Sequence, residues 1–307
     1  MLPDPMSEPP PRAIRRELLE LAARLAPRHG YNPTGLRGVR ILRTEEILED
    51  VPVLYRPGAV FVLQGRKQGL LEGRVYLYDE EHYLAVSVPV PFRMRSTASP
   101  ERPLLAIYVE FDMRLAAEIA SRFDRGRPEP AEVKSLVSSP MEPELEDVLL
   151  RALRLLRDPV ELAVLGDGVL RELHYRVLVG PQGGAMIAAL RQLGSSGRIV
   201  QSLARLRENY RAATSVGSLA REAGMSVPSY HAHFKALTGS TPMQYVKATR
   251  LHEARLLIAR NDKTIAEVAV SVGYVSPAQF SRDFRRHFGR TASEEAQWVR
   301  HHLGETA

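Results

Sequence analysis

Residues 276–289, SPAQFSRDFRRHFG, place aromatic and basic side chains at helical spacing. Ser276 suits the N-cap of a helix, Pro277 its first turn and Gly289 its end. One face carries an apolar stripe of the kind that packs on a core: Phe280, Phe284 and Phe288. The opposite face carries side chains that can donate hydrogen bonds to bases or phosphates: Gln279, Arg282 and Arg286, flanked by Ala278 and Arg285. Such a face is either solvated, as on most amphipathic helices, or a binding surface for a polyanion.

The positive charge of the chain lies in its last third. Residues 201–307 contain 15 lysines and arginines against 9 acidic residues, a net charge of +6 that equals the formal charge of the whole chain. Residues 1–200 are therefore neutral overall, and six of the nine histidines also lie beyond residue 200. A basic terminal module beside a neutral partner indicates a polyanion for the module and another role for the rest.

Composition narrows the class of protein. Hydrophobic residues make up 44% and charged residues 25% of the chain, as in ordinary soluble globular proteins, and no apolar run is long enough to span a membrane. The start, MLPDPMSEPPPR, lacks the apolar segment of a signal peptide, so we expect a short disordered tail on a cytoplasmic protein. The absence of cysteine excludes disulfides, thiol catalysis and cysteine-ligated metals.

The part of the chain before the basic module is a strand region between helices. Residues 12–26 have the apolar spacing of a helix. Residues 39–111 read as short strands punctuated by proline and glycine, which predicts an antiparallel sandwich or small barrel. Beyond a loop at residues 125–133, two further helices are predicted at residues 143–156 and 158–180. These helices could pack on the barrel, pair with a second subunit, or do both.

The basic module contains an internal repeat. Residues 219–242, LAREAGMSVPSYHAHFKALTGSTP, match residues 268–292, VAVSVGYVSPAQFSRDFRRHFGRTA. Each copy runs as a short helix, a glycine (Gly224 or Gly273) and a second helix with two aromatic residues four positions apart. This is the helix-turn-helix pattern, predicted here at about residues 216–239 and 264–289. A small, polar stretch places the boundary of the module near residues 194–197.

The two copies, with the helical segment TPMQYVKATRLHEARLLIA between them, resemble the DNA-binding domain of the AraC family of bacterial transcription regulators. Residues 30–115, which include VLYRPGAVFVLQGRKQ and YDEEHYLAVSVPVPF, resemble the N-terminal domain of one subgroup of that family, a cupin-like barrel presumed to sense a small molecule. The resemblance implies an α+β chain. Its parts are a tail and helix at 1–30, a cupin-like ligand-sensing antiparallel β-barrel at 31–125, a helical linker and possible dimerisation region at 140–195, and an all-α tandem helix-turn-helix domain at 198–307.

The resemblance also implies roles for single residues, because paired helix-turn-helices of this family read successive major-groove turns. In the second copy, Gln279, Ser281 and Arg282 should face base edges, since arginine can pair with guanine and glutamine with adenine. The matching positions of the first copy are Ser229, His231 and Ala232. Ala232 stands where Arg282 stands in the second copy and can touch a thymine methyl group but cannot hydrogen-bond. We therefore expect the second helix to supply most of the hydrogen-bonded specificity.

Contacts with DNA phosphates are expected from cationic residues around these helices and from one helix start. Thr264 caps a predicted helix whose first amides could hold a phosphate. The cationic candidates are Arg285, Arg286, Lys235, Arg250 and Lys263. The paired aromatic residues, by contrast, are expected in the core rather than stacked on bases: Tyr230, Phe234, Phe280 and Phe284.

The strand region offers polar and aromatic candidates for a ligand pocket: Gln64, Lys67, His82, Tyr83 and Arg93. No metal site is expected there, because His82 is the only histidine of residues 39–115. His231 and His233 lie two apart on a helix and point in different directions, so they cannot chelate together. The sequence contains neither a phosphate-binding loop nor a nucleophile elbow.

A sequence-specific transcription regulator accounts for the repeat, the charge distribution and the two-part layout together. The alternatives are a metal-dependent cupin-type enzyme with a DNA-binding appendage and a nonspecific DNA-compacting protein, and the face with Gln279 and Arg282 argues against the latter. We expect no enzymatic activity, no cofactor and no membrane contact. The expected partners are double-stranded DNA, an unknown small-molecule effector, a second copy of the chain as a homodimer and, at promoters, RNA polymerase.

Overall fold

The computed structural model describes residues 10–123, 134–191, 198–260 and 263–302. Of the predicted tail at residues 1–12, residues 1–9 fall outside these ranges, and residues 10–12 belong to the first helix. The predicted loop at 125–133 and the predicted boundary near residues 194–197 also fall outside them. None of the helices within them is both long and apolar enough to cross a membrane.

The first part of the chain is a sheet with helices around it. Helix α1 precedes nine strands, and a tenth strand follows helix α2. The elements are α1 (Pro10–Leu25), β1 (Gly30–Pro33), β2 (Val39–Thr44), β3 (Leu48–Leu54), β4 (Gly58–Gln64), β5 (Arg66–Leu71), β6 (Arg74–Asp79), β7 (His82–Val86), β8 (Pro91–Thr97), β9 (Leu104–Glu110), α2 (Met113–Phe123), β10 (Leu136–Pro140), α3 (Pro143–Leu155), α4 (Pro159–Val179) and α5 (Gly183–Arg191).

The ten strands form one curled antiparallel sheet, in the order β1-β2-β9-β4-β7-β6-β5-β8-β3 with β10 beside β7. The predicted antiparallel architecture is confirmed, but β1 and β3 stand at the two ends of this order, so the curl is a half-barrel rather than a closed barrel. Both faces of its central strands are buried. On β9, for example, Ile107 packs under the helices, whereas Tyr108 points into the curl.

Two apolar clusters result from this alternation. The outer cluster lies between the sheet and α1, α3 and α4, and the inner cluster fills the curl. The helices predicted at residues 12–26, 143–156 and 158–180 are found as α1, α3 and α4. Short elements without a clear repeat were not predicted: β1, β10, α2 and α5.

The last part of the chain is entirely helical within the described residues. Its elements are α6 (Arg198–Glu208), α7 (Val216–Glu222), α8 (Val227–Thr238), α9 (Pro242–Arg260), α10 (Ile265–Ser271), α11 (Pro277–Phe288) and α12 (Ala292–His302). The helix pairs α7–α8 and α10–α11 lie where the repeat predicts them. Each pair has its own apolar cluster, and α9 connects the two pairs and contacts both.

Candidate nucleic-acid interface and ligand cavity

The two second helices, α8 and α11, begin and end in the same way. The hydroxyls of Ser226 and Ser276 accept hydrogen bonds from backbone amides of the first turn, which satisfies donors that a helix start leaves unpaired. Gly239 and Gly289 end the helices in the left-handed conformation, at φ 70° and 77°, which glycine adopts without a steric penalty. The repeated sequence therefore builds the same local structure twice.

The aromatic pairs lie in the core, as predicted. Tyr230, Phe234, Phe280 and Phe284 are all fully buried. The ring centroids are 5.6 Å apart in the pair on α8 and 5.3 Å apart in the pair on α11. Their burial fixes which face of each helix points away from the protein. It also removes them as stacking platforms for bases.

The face of α11 opposite the phenylalanines is exposed and basic. Gln279, Arg282, Arg285 and Arg286 are all exposed, and none of these arginines forms an ion pair within the described residues. Ser281 is exposed too, but its hydroxyl donates to the carbonyl of Pro277 at 3.0 Å. Its proton is therefore engaged within the helix, whereas the amide of Gln279 and the guanidinium of Arg282 remain available to a ligand.

The corresponding face of α8 carries shorter and fewer donors. Ala232 is exposed, and Ser229 and His231 are half-buried. His233 bends back along the helix, with Nδ1 at 2.8 Å from the carbonyl oxygen of Ser229. Lys235, further along, is exposed. The outward faces of α8 and α11 therefore differ in chemistry although their backbones match.

An ion pair fixes α11 against the connecting helix α9. Lys247 Nζ lies 3.1 Å from Oδ1 of Asp283, whose side chain is almost fully buried. A buried carboxylate needs such a partner. The pair sets the rotation of α11 about its axis, and with it the direction in which Gln279 and Arg282 point.

Arg250, predicted at a phosphate, is engaged inside the protein instead. Its guanidinium donates to the carbonyls of Tyr210 at 2.7 Å, Gly273 at 3.0 Å and Ala212 at 3.0 Å. Planar guanidinium groups suit several acceptors at once. Arg250 thus ties the segment after α6 to the glycine turn between α10 and α11.

The predicted phosphate site at Thr264 is occupied by the protein's own carboxylate. Thr264 caps α10 as predicted, but Oε2 of Glu267 accepts from both the amide and the hydroxyl of Thr264 at 2.8 Å. This capping box brings a negative charge to the helix start, where it would repel a phosphate. Lys263, next to it, is exposed.

The half-barrel touches the C-terminal ends of both α8 and α11. At α8, Ser135 donates a hydrogen bond to the carbonyl of Leu237. At α11, Nη1 of Arg93 lies 3.4 Å from the carbonyl oxygen of His287. Between them, the hydroxyl of Tyr245 on α9 donates to the carbonyl of Pro89 at 3.0 Å. The relative placement of α8 and α11 therefore depends on the barrel.

A cavity of about 390 Å³ lies between the open side of the half-barrel and α9. Barrel residues on its wall include Lys67, Tyr55 and Arg40, and α9 contributes His252 and Arg255. Five cationic side chains line it against the two carboxylates of Glu110 and Glu253: Arg40, Arg56, Lys67, Arg207 and Arg255. This cavity is large enough for a small organic molecule.

Burial perturbs several ionisable groups around this cavity. It lowers the pKa of Lys67 to about 7 and that of His287 to about 4, because the charged forms lose their hydration. His252 shares a short contact with His287, with the two Nε2 atoms 3.2 Å apart, and burial also lowers its pKa. Both imidazoles are therefore neutral at neutral pH.

Of the five predicted pocket residues, only Lys67 lines this cavity. Gln64 donates to the carbonyl of Pro103 at 2.7 Å, and His82 sits beside Asp79 at the turn between β6 and β7. Tyr83 is buried in the outer cluster against Phe61, because the alternation of β7 points it away from the curl. Arg93 pairs with Asp50 at 2.6 Å. The structure therefore does not bring these five residues together at this cavity.

Charged residues of α9 that line the cavity were not predicted. Arg255 is only 6% exposed and lies 2.7 Å from the buried carboxylate of Glu295, between the rings of Phe288 and Trp298. The sequence signal was present but ambiguous, because α9 carries buried residues around most of its circumference. No group of three or more potential metal ligands occurs in the described ranges.

Comparison with known proteins agrees with this architecture. Residues 35–185 match the family described as "AraC-type transcriptional regulator N-terminus", and residues 219–297 match "Helix-turn-helix domain". The HTH-type transcriptional regulator ExsA of Pseudomonas aeruginosa is 30% identical over 129 residues, which are 42% of this chain and 46% of ExsA. The chain thus spans about half the length of that relative.

Two further proteins match over more of the chain. The thermoregulatory protein LcrF of Yersinia pestis is 24% identical over 242 residues, 77% of this chain and 88% of LcrF. Wild-type ToxT from Vibrio cholerae has a similar fold, with a TM-score of 0.61 at 12% identity over 88% of this chain and 96% of ToxT. With both halves matched in order, the chain belongs to the AraC family of transcriptional regulators.

Proposed function

We propose that this protein is a sequence-specific DNA-binding transcription regulator, without enzymatic activity, that acts in the cytoplasm. The observation that carries the proposal is the exposed, unpaired face of α11, with Gln279, Arg282, Arg285 and Arg286 opposite three buried phenylalanines. Its counterpart α8 has the same caps and the same buried aromatic pair. Two such helices on one rigid connector suit two successive segments of the major groove.

In this proposal, base edges are read mainly from α11. Arg282 pairs with a guanine and Gln279 with an adenine. Ser281 also faces the bases but distinguishes them less, because its hydroxyl proton is donated to the carbonyl of Pro277. On α8, Ser229, His231 and Ala232 face the groove. Phosphates are contacted by exposed cations at the flanks: Lys235, Lys263, Arg285 and Arg286. Arg250 acts on DNA binding through the position of the second helix pair rather than through a phosphate.

Control by a small molecule is assigned to the cavity between the half-barrel and α9. Its occupant would contact the barrel and the connecting helix at once, so it can favour one arrangement of the two helix pairs over another. ToxT, which shares the fold, has been solved with an unsaturated fatty acid bound, which supports a small organic effector for this chain.

A homodimer is assigned to the outward face of α4. Val160, Val164 and Leu165 are 72%, 74% and 51% exposed, and such aliphatic side chains are usually covered. At Gly168, on the same side, an added Cβ would meet no atom within 4 Å, so a second helix could approach closely. Antiparallel pairing of two α4 helices about Gly168 would cover this patch in both subunits. RNA polymerase contact is assigned to the complex on DNA.

The test is selection of bound duplexes from a random DNA library by the full-length protein at near-physiological salt. We expect enrichment of two short boxes about 10 bp apart, one helical turn. Binding at low salt without any enriched sequence, and with steep salt dependence, would instead identify a general DNA-binding protein and refute the proposal.

A further inference from the structure

One wall of the cavity carries a buried lysine. Lys67, on β5, is fully buried, and its ammonium nitrogen donates to the hydroxyl of Tyr108 at 3.1 Å. Tyr108 in turn donates to Tyr55 at 2.6 Å. No carboxylate pairs with Lys67 within the described residues. An amine has three donors when charged, so this environment leaves most of them unused.

The two cross-strand neighbours of Lys67 are also incompletely bonded. Lys67 stands opposite Tyr78 on β6 and opposite Ser96 on β8, and side chains opposite each other lie on the same face of a sheet. Both hydroxyls are buried and make no hydrogen bond with the described part of the chain. Buried polar groups are rarely left without a partner. The amine and the two hydroxyls therefore lie on one face of the sheet with donors that the described part of the chain leaves unused.

The choice of lysine at this position carries information. Only five of the 42 lysines and arginines of the chain are lysines. Among the described residues, arginine supplies the cation in nearly all ion pairs, with Lys247 and Asp283 as an exception. Arginine is also the better partner for a carboxylate, and it stays charged when buried. Lysine differs in one respect that matters here, since it can lose its proton and become a nucleophile.

The environment of Lys67 favours that neutral form. Burial lowers its pKa to about 7, so a sizeable fraction of the amine is unprotonated at neutral pH. The exposed lysines of the chain lack such burial: Lys134, Lys235, Lys247 and Lys263. The cavity of about 390 Å³ provides room beside the amine for a small molecule.

We propose that Lys67 is a receptor for small aldehydes or ketones, which it binds covalently and reversibly as an imine. The amine nitrogen attacks the carbonyl carbon, the C=O π bond breaks, and a proton passes from nitrogen to oxygen to give a carbinolamine. Loss of water then forms the C=N bond, and hydrolysis reverses the reaction. The balance is one amine and one carbonyl compound to one imine and one water, without an oxidant or reductant.

The neighbouring hydroxyls have defined tasks in this reaction. Tyr78 and Ser96 donate hydrogen bonds to the carbonyl oxygen as negative charge develops on it, as an oxyanion site does. The Lys67–Tyr108–Tyr55 chain of hydrogen bonds orients the amine. The covalent step is independent of DNA. Only its consequence, a change in DNA binding when the adduct occupies the cavity, rests on the proposed function.

The experiment uses the full-length protein, propanal as the probe and borohydride to trap any imine as a stable propylamine. Peptide mass mapping then compares Lys67 with the four exposed lysines in the same sample. We expect Lys67 to be modified at least tenfold faster at pH 7, with a rate that rises as pH passes through about 7, because ordinary lysines are almost fully protonated there. Ser96→Ala should slow the reaction at Lys67 without moving it elsewhere.

Lys67→Met is the matched control, since it keeps length and removes a buried charge, a change that cores tolerate. This variant should lose the adduct while its thermal unfolding remains cooperative. Modification of Lys67 no faster than that of the exposed lysines in the native protein would overturn the inference. So would saturable binding of propionate to the protein combined with no trapped adduct at Lys67, which would identify an anion site instead.

Binding to the selected duplex, measured on the same samples, separates this inference from the proposed function. An adduct at Lys67 with unchanged DNA affinity supports the covalent site and counts against control through the cavity. Intact specific DNA binding without any adduct overturns the covalent site and leaves the regulator standing.

Discussion

Replacement of Arg282 by alanine tests one proposed base contact of α11. The side chain is exposed and forms no ion pair within the described residues, so the substitution removes no internal contact. Alanine is also the best helix former. The free energy of unfolding should therefore change by no more than about 0.5 kcal/mol, and any loss of DNA binding can be attributed to the interface.

The magnitude follows from the chemistry of the pairing. A guanidinium that donates two hydrogen bonds to a guanine discriminates by about 1–3 kcal/mol, which corresponds to about 5- to 150-fold in affinity. The loss should appear at one base position only. At that position the substituted protein should accept all four bases nearly equally.

The assay is library selection and titration at two salt concentrations, with Arg285→Ala as the matched control. Arg285 lies about one turn further along the same helix and is assigned to a phosphate. Its loss should weaken all sequences alike and reduce the salt slope by about one. An unchanged base preference in the Arg282 variant, or relaxed preference in the Arg285 variant alone, would refute the assignment of these side chains.

Three further predictions concern stability and assembly. Gly273→Ala should destabilise the second helix pair by at least about 2 kcal/mol, because φ is +89° and the new Cβ would lie 2.4 Å from the carbonyl oxygen of Arg211. Gly289→Ala has open space around the new Cβ and should lower the free energy of unfolding by only about 1 kcal/mol. Urea unfolding measures both losses. Burial lowers the pKa of His287 in the folded protein to about 4, whereas the same imidazole in the unfolded chain takes up a proton near pH ~6.5. The free energy of unfolding should therefore be highest above about pH 6.5 and fall by up to about 3 kcal/mol between pH 6.5 and 4. Urea unfolding at stepped pH measures this loss. Val164→Glu should convert a dimer to a folded monomer by light scattering.

Each of these has a clear contrary result. Equal losses for the two glycine variants would mean that backbone strain, not the clash at Arg211, sets the cost. Stability that stays flat from pH 6.5 to 4, or that falls by the same amount in a His287→Gln variant, would contradict the burial of a neutral imidazole. A Val164→Glu protein that remains dimeric would place the subunit contact elsewhere than on α4.

Much of the DNA-binding half was predictable from sequence because its signals are local. N-caps, C-terminal glycines and aromatic spacing are set by residues within one or two turns of each other, and their repetition in two copies made the pattern specific. The core position of Phe280 and Phe284 followed from periodicity alone. The antiparallel character of the strand region was likewise readable from its short strands and turns.

The roles of single polar side chains were decided by tertiary structure. From the sequence Arg250 was predicted to be a surface cation. In the structure its guanidinium donates to three carbonyls from two distant segments. Thr264 was identified correctly as a cap, yet the carboxylate of Glu267 takes the place expected for a phosphate. Whether a cation meets solvent, a carbonyl or a ligand depends on atoms brought together from far along the chain, and helical spacing carries no information about them.

The candidate ligand cavity shows the same division most clearly. The sequence alone determined that this chain has a strand-rich half and two helix-turn-helix units, because hydrophobic period and turn chemistry are properties of neighbouring residues. Only the tertiary structure decided that the inward alternation of β5 buries Lys67, that β7 points Tyr83 outward, and that α9 closes the open side of the curl with His252 and Arg255. Strand register and domain packing set these relations, since a shift of one residue along a strand reverses the face to which every side chain points.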